Sequence, residues 1–243
     1  MKRPPELEIL DPGYTGWANL GLWADSSSYP DAARALARWV GGAARLSADE
    51  RVADLGCGEG ASLDLWSADY GVDAIGYDPR VAHPAPRIVR ATAETADLGA
   101  ELDAVVSVDA AYHFDHVVLF DRCAAALGPG GRFVWTDFIR DDLGRVERIK
   151  LKLAAQLFGL GREVPMDHVG LERAMKRAGL RLETTEDLTT PVLLGFAEHI
   201  DALGAQGRLR GPGATKLRIT ANACRRVQAH GVRYVGLVAR RIR

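Results

Sequence analysis

The chain has 243 residues, 47% of them hydrophobic and 26% charged, with 31 Lys and Arg set against 32 Asp and Glu. That composition belongs to a soluble globular protein, long enough for one large α/β domain with additions and short for two independent ones. No window approaches about 18 uninterrupted apolar residues, which excludes a membrane-spanning helix.

The net charge of −1 is unevenly spread. After Asp201 there is no Asp or Glu, while Arg208, Arg210, Lys216, Arg218, Arg225, Arg226, Arg233, Arg240, Arg241 and Arg243 follow. Tyr234 is the only aromatic residue in that region, whereas a single-strand-binding surface interleaves several. The region therefore reads as a solvated basic face that pairs with the acidic remainder of the fold. Three widely separated cysteines, Cys57, Cys123 and Cys224, argue against a disulfide framework or a zinc site and suit a reducing, cytoplasmic location.

In chain order, Met1–Leu20 lacks the apolar core of a signal peptide, so none is expected. Asp31 precedes an amphipathic run and is predicted to cap a helix. Short apolar segments at 52–55, 74–77, 88–91, 104–108 and 133–135 alternate with helical patterns at 62–70 and 116–127. Such alternation predicts β-α-β units and a mostly parallel sheet with helices on both faces. Further on, helices are expected over 142–160, 167–178 and 196–203, a strand over 180–185, a long basic helix after the Gly-Pro-Gly break at 211–213, and a last strand over 232–238.

The stretch Asp54-Leu55-Gly56-Cys57-Gly58-Glu59-Gly60-Ala61 fits two templates. Gly56, Gly58 and Ala61 match the G-x-G-x-x-G/A spacing of dinucleotide binders, and Asp54, Gly56, Gly58 and Gly60 match the D-x-G-x-G-x-G spacing of S-adenosylmethionine binders. Two acids in the loop would repel a pyrophosphate but tolerate a ligand bearing an ammonium and a sulfonium, which favours the second template. Cys57 is read as a small spacer in that loop. Asp78, before Pro79, ends the second strand where a carboxylate can accept hydrogen bonds from ribose hydroxyls; both ligands have that ribose.

The ordered set "VADLGCGEG", "AIGYDP", "ATAE", "LDAVVSVDAAYHF" and "LGPGGRFVWTDF" resembles the class I S-adenosylmethionine-dependent methyltransferases, and most of all their small-molecule branch of sterol and natural-product enzymes. The resemblance implies a Rossmann-like, seven-stranded, mostly parallel sheet with an antiparallel edge strand, plus N-terminal and inserted lid helices. A single domain over 1–243 is expected, divided into a cover (1–45), a donor-binding core (46–140), lid helices (141–180) and a C-terminal sheet edge with helices (181–243). The resemblance also implies roles. Asp54, Gly56, Gly58 and Gly60 would contact the methionine end of the donor, Asp78 and Pro79 the ribose side, and Thr92, Ala93 and Glu94 the adenine. Asp109 would line the pocket beside the methyl group, and Tyr14, Asn19, Leu20 and Trp23 would help to cover it.

Methyl transfer from a sulfonium is an in-line displacement in which alignment dominates, and a hydroxyl acceptor also needs a base. His113, past the fourth strand, and Asp137, on the fifth, match catalytic positions of some relatives. His113 is the candidate base, and His116 and His168 are expected on helices. The expected reaction is O-methylation of an apolar or anionic small molecule, with S-adenosyl-L-homocysteine as product; C- or N-methylation is the alternative. A nicotinamide-dependent oxidoreductase is the next alternative, and a donor-binding protein without catalysis the third. No metal is expected. The absence of N/D-P-P-Y/F after the fourth strand argues against a nucleic-acid acceptor. Leu153, Leu157, Phe158, Met166 and Phe196 suggest an apolar acceptor or belong to the core. No membrane partner is expected, and the chain is read as a monomer or homodimer.

Overall fold

The computed structural model describes residues 3–81, 85–141 and 165–242. Four consecutive buried residues form β1 (Val52–Leu55), because a parallel strand inside an α/β sheet is covered on both faces. It lies between β2 (Ile75–Tyr77) and β4 (Leu102–Ser107), parallel to each, and β3 (Ile88–Val89) pairs parallel with β2. The fifth strand, β5 (Leu127–Arg140), runs parallel to β4. It is much longer than the 133–135 segment visible as an apolar run. Beyond it, β7 (Val232–Arg241) is antiparallel both to β5 and to the outermost strand, β6 (Leu180–Asp187). Among the described residues the sheet has seven strands in the order β3-β2-β1-β4-β5-β7-β6. The order reverses between β1 and β4, where an open α/β sheet leaves a crevice at the C-terminal ends of its strands.

Helices cover both faces. On one lie α2 (Tyr29–Ala44), α3 (Ala61–Tyr70), α6 (Gly195–Ala205) and α7 (Pro212–Ala229), whose Leu36, Trp66, Phe196 and Leu217 share one core with Val106 and Val134. On the other, α4 (His116–Ala126) and α5 (His168–Ala178) bury Phe120 and Met175 against Phe133 and Trp135. Phe133 and Trp135 are two residues apart on β5 and so face the same side; their rings stack at 4.2 Å with 6° between planes. The α5 helix begins after its N-cap Asp167, which accepts from the Gly170 N–H, and stops at Gly179. The helix expected over 142–160, with Leu153, Leu157 and Phe158, lies outside the described residues. Phe196 is core, 2% exposed, and Met166 packs against the α4–α5 side.

Asp31 does not cap α2. Ser28 does, its Oγ accepting from the Asp31 N–H (3.3 Å) and donating to Asp31 Oδ2 (2.6 Å). The reason is Pro30. A proline needs no N–H partner in the first turn and has a helical φ already fixed, so the helix starts before it and Asp31 becomes the third residue of a capping pair.

Part of the basic C-terminal region is paired with acids elsewhere in the fold. Lys216 meets Glu6, Arg225 meets Asp201, Arg233 Nε lies 2.9 Å from Asp141, and Arg240 Nε 3.2 Å from Glu183. These pairs are partly exposed and individually contribute little to stability, and they engage four of the ten basic residues that follow Asp201.

The short helix α1 (Pro5–Leu10) packs on the first turn of α7 at Gly213, where an added Cβ would lie 2.5 Å from the Pro5 carbonyl carbon and 2.6 Å from the Glu6 nitrogen. Replacing glycine by alanine inside a helix ordinarily gains about 0.5–1 kcal/mol. Overpacking against backbone costs roughly 1–3 kcal/mol and wins here. Gly213→Ala is therefore expected to lower the urea midpoint with an unchanged m-value; an unchanged midpoint would show that α1 is not held against α7.

Candidate active site at the switch point of the sheet

The chain leaves β1 through Gly56, Cys57, Gly58, Glu59 and Gly60 before entering α3. Gly56 has φ +83° and Gly60 φ +94°. A Cβ on Gly56 would lie 2.3 Å from the Ala110 Cβ, so only glycine lets this loop rest against the segment after β4. Gly58 has nothing within 4 Å of a built Cβ and opens onto the cleft. Its N–H donates to Asp78 Oδ2 (3.1 Å), and the Arg80 N–H donates to Asp78 Oδ1 (2.7 Å). Asp78 is thus a buried brace of the glycine loop, with lone pairs remaining on both oxygens. Pro79 is exposed beside it.

Asp54 lies behind the loop rather than on the cleft wall. It is 1% exposed, accepts from Trp66 Nε1 (2.8 Å), and its Oδ1 is buried with no hydrogen-bond partner among the described residues. Burial pushes its carboxyl up to about 6, against the downward pull of Ser62 and Trp66 and with a further push from the charge of Asp78.

The N-terminal segment closes the cleft from above. Asn19 is held by three bonds: its Nδ2 donates to the Ala33 carbonyl (3.1 Å), its Oδ1 accepts from Gly21 (2.9 Å), and its own carbonyl accepts from the Tyr29 hydroxyl (3.0 Å). The Leu20 N–H donates to Asp109 Oδ2 (2.7 Å), and the Tyr14 hydroxyl donates to Glu59 across the rim. Trp23 is not on this cleft. Its indole N–H donates to the Leu20 carbonyl (2.8 Å), while its ring stacks on His199 (4.3 Å between centroids) in a separate cavity with Pro191 and Leu194.

Asp109, just past β4, has φ +54°, a left-handed conformation that aspartate tolerates better than most side chains. Its N–H donates to Thr136 Oγ1 (2.8 Å) and its Oδ1 accepts from the Tyr234 hydroxyl (2.8 Å). Burial raises its carboxyl to about 7; hydrogen bonds from Tyr234, Leu20 and Tyr112 pull it down, and the charge of Asp137 pushes it up. The cleft framed by Gly16–Asn19, the glycine loop, Arg80, Asp109 and His113 encloses about 70 Å³.

His113 stands between this cleft and a second cavity of about 160 Å³, walled by Leu20, Tyr112, Phe138, Leu193, Ile219, Cys224 and Val227. Burial and the Arg80 guanidinium hold its imidazole below the ordinary histidine value, partly offset by the charges of Asp137 and Asp78. Asp137 is not bonded to His113. Its Oδ2 lies 2.6 Å from His116 Nε2 and accepts from Trp135 Nε1 (3.3 Å), while its Oδ1 accepts from the Phe138 N–H (2.7 Å). Sequence reading missed the His116–Asp137 pair, because His116 also opens α4, with Asp115 as the cap. The available signal was an aspartate next to the apolar segment of the fifth strand, where a carboxylate, if buried, demands a polar partner. Arg80 was missed as well.

Thr92, Ala93 and Glu94 follow β3 outside the lining of the cleft. Ala93 is buried, the Thr92 N–H donates to Thr95 Oγ1 (3.1 Å), and Glu94 Oε1 accepts from the Asp115 N–H (3.1 Å). His168 is on the surface of α5, 3.5 Å from Glu172. Among the described residues, no three His, Cys, Asp or Glu side chains stand together as metal ligands would.

No curated protein matches the chain by sequence. Solved structures of similar fold include a cyclopropane synthase from Mycobacterium tuberculosis (17% identity, TM-score 0.75, covering 99% of this chain and 95% of that one). Another is geranyl diphosphate C-methyltransferase from Streptomyces coelicolor, solved with S-adenosyl-L-homocysteine (16% identity, TM-score 0.71, 98% of each chain). A third is the [4+2]-cyclase SpnF (17% identity, TM-score 0.69, 98% of this chain and 94% of that one). At these identities the likeness is one of fold, and it agrees with the Rossmann-like sheet read from the sequence. A family model described as a methyltransferase domain matches residues 29–185, which sets aside the oxidoreductase alternative: the chain belongs to this methyltransferase family and is an enzyme.

Proposed function

We propose that the chain transfers a methyl group from S-adenosyl-L-methionine to an uncharged, largely apolar small molecule, through a hydroxyl whose proton His113 accepts. The observation that carries this reading is the position of His113, one face on the cleft of the glycine loop and the other on the apolar cavity.

The residues of the cleft suit such a donor. Gly58 offers an open cradle at a helix N-terminus, the lone pairs of Asp78 suit ribose hydroxyls, and Asp109 on the cleft wall, with Arg80 lying against Asp78, favours a cationic ligand over a pyrophosphate. When bound, S-adenosyl-L-methionine supplies an electrophilic methyl group on a positively charged sulfur. The enclosed 70 Å³ is well below the roughly 300–1,000 Å³ of ordinary ligand sites, so entry requires the cover around Tyr14–Trp23 to shift outward. Its attachments at Leu20 and Tyr14 then close the site again and exclude water.

The second cavity is sized for the head of an acceptor. Apolar cavities of about 150 Å³ stay dry and take up a benzene ring, and this one, at about 160 Å³, has no Lys or Arg among its described walls. A ring or short hydrocarbon seated against Phe138, Leu193 and Val227 would bring its hydroxyl to His113. The neutral imidazole takes that proton on a ring nitrogen. Asp137 acts on His113 through its charge, which favours the protonated product of that step, and not through contact. Thr92–Glu94 would flank the adenine.

S-adenosyl-L-homocysteine is expected to bind by calorimetry where NADH does not. Asp78→Ala should weaken it about 10- to 150-fold, the value of a charge-assisted hydrogen bond; unchanged affinity removes Asp78 from the site.

His113→Ala should lower turnover on a hydroxyl acceptor by roughly 10²–10⁴ while leaving S-adenosyl-L-homocysteine affinity intact. Full turnover on that hydroxyl acceptor would refute the assignment of His113 as the base.

The His113 imidazole should titrate by NMR below about 6.5, so the base is present at neutral pH and lost as pH falls through that midpoint. Arg80→Ala removes a neighbouring positive charge and should move the midpoint upward; no movement would place Arg80 too far away to matter.

A further inference from the structure

Asp109 is 9% exposed, lines the glycine-loop cleft, and pairs with no Lys, Arg or His among the described residues. The groups that feel its charge come from every element packed around it: Tyr29 of α2, Tyr112 after β4, Asp137 of β5, Cys224 of α7 and Tyr234 of β7. Four are neutral hydroxyls or a thiol, and the fifth is another acid. Hydrogen bonds from Tyr234, Leu20 and Tyr112 hold the carboxylate in place, yet none of them neutralises it. Burying an ion with dipoles alone is costly, and the carboxyl accordingly lies far above its ordinary range, at about 7. Arg80 also lines the cleft but lies against Asp78, its Nε 3.8 Å from Oδ1, so Asp109 itself has no cationic partner among the described residues, and its open side is the cleft.

We infer that Asp109 is the counter-charge for a cationic ligand in this cleft, and therefore the residue by which the enzyme tells a sulfonium donor from its uncharged thioether product. This rests on the donor reading above. The two ligands differ by one methyl group and one charge, so a purely steric site would barely separate them, whereas a desolvated carboxylate acts on the charge directly. The sign follows from linkage. Both ligands carry the same methionine-end ammonium, and only the donor adds a sulfonium, which prefers the ionised form; the donor's affinity relative to the product's therefore falls with the ionised fraction as pH drops through the midpoint.

The test is calorimetric titration of S-adenosyl-L-methionine and S-adenosyl-L-homocysteine between pH 6 and pH 8 on the wild type, Asp109→Asn and Tyr234→Phe. In the wild type the donor-to-product affinity ratio should rise about tenfold across that range, the change in ionised fraction of a group titrating near 7. Asp109→Asn should flatten this rise and lower the ratio at pH 8; it also subtracts any contribution from the ligands' own titration. Tyr234→Phe removes a hydrogen bond that favours the ionised form, so the rise should persist but shift to higher pH. If Asp109 only tethers the cover, Asp109→Asn will weaken both ligands equally and the ratio will not follow pH, which overturns the inference and leaves the donor reading standing. If neither ligand binds the wild type, the donor reading fails and this inference with it.

Discussion

The glycine loop after β1 and the segment after β4 touch at Gly56 and Ala110, and the rest of the site is arranged around that contact. With a Cβ-to-Cβ separation of 2.3 Å for any residue larger than glycine, the two strand ends could not approach, and the crevice at the reversal of strand order would open or fill. The approach is also fixed from below, where the Ser107 hydroxyl donates to the Leu55 carbonyl (2.7 Å). From this pinch the loop turns outward to present Gly58, and the β4 segment turns to present Asp109 and, four residues later, His113. Cleft and apolar cavity therefore share a wall because two backbones meet.

Around the pinch, polar groups are held by residues distant in the chain. Leu20 and Asp109 are separated by 89 residues, and Tyr234 and Asp109 by 125. The cover, the sheet's interior and its antiparallel strand thus converge on one carboxylate. The floor of such a site is strand and buried hydroxyl, and its roof is a segment without regular structure pinned at separate points, to α2 through Asn19 and Leu22, to Asp109 through Leu20, and to Pro191 through the Trp23 N–H.

The alternation of apolar segments made the sheet, its helices and the crevice legible in the sequence, since buried parallel strands read as short apolar runs and glycines must mark the tight loop. Gly56, Gly58, Asp78, Asp109 and His113 could be singled out because they sit at strand ends, where chain order predicts spatial order. What could not be read were pairings across the fold. His116 looks like a helix opener and Asp137 like a residue of the fifth strand; that they meet depends on the exit angles of β4 and β5. Trp23 sits within the cover motif, yet its ring turns away to His199, a choice set by the packing of α6. Asp54 is part of the glycine motif but faces Trp66, because alternation along a strand puts one residue toward the helix layer and the next elsewhere. The helix start at Ser28 turned on a local rule, the tolerance of proline in a first turn, that competed with an equally plausible cap at Asp31.

The placement of β7 has a bearing on how the enzyme becomes competent. It follows β6 in the chain but lies between β6 and β5, so β6 has no neighbour in the sheet until β7 has inserted itself. The same strand carries the Tyr234 hydroxyl that reaches Asp109. Assembly of the outer sheet and completion of the polar cluster under the cleft are consequently one event, delayed by the long loop closures that such non-local pairing requires. Until β7 is in place Asp109 lacks the Tyr234 hydroxyl, though Leu20 and Thr136 can already hold it, so the last strand to join the sheet completes the polar cluster of the site.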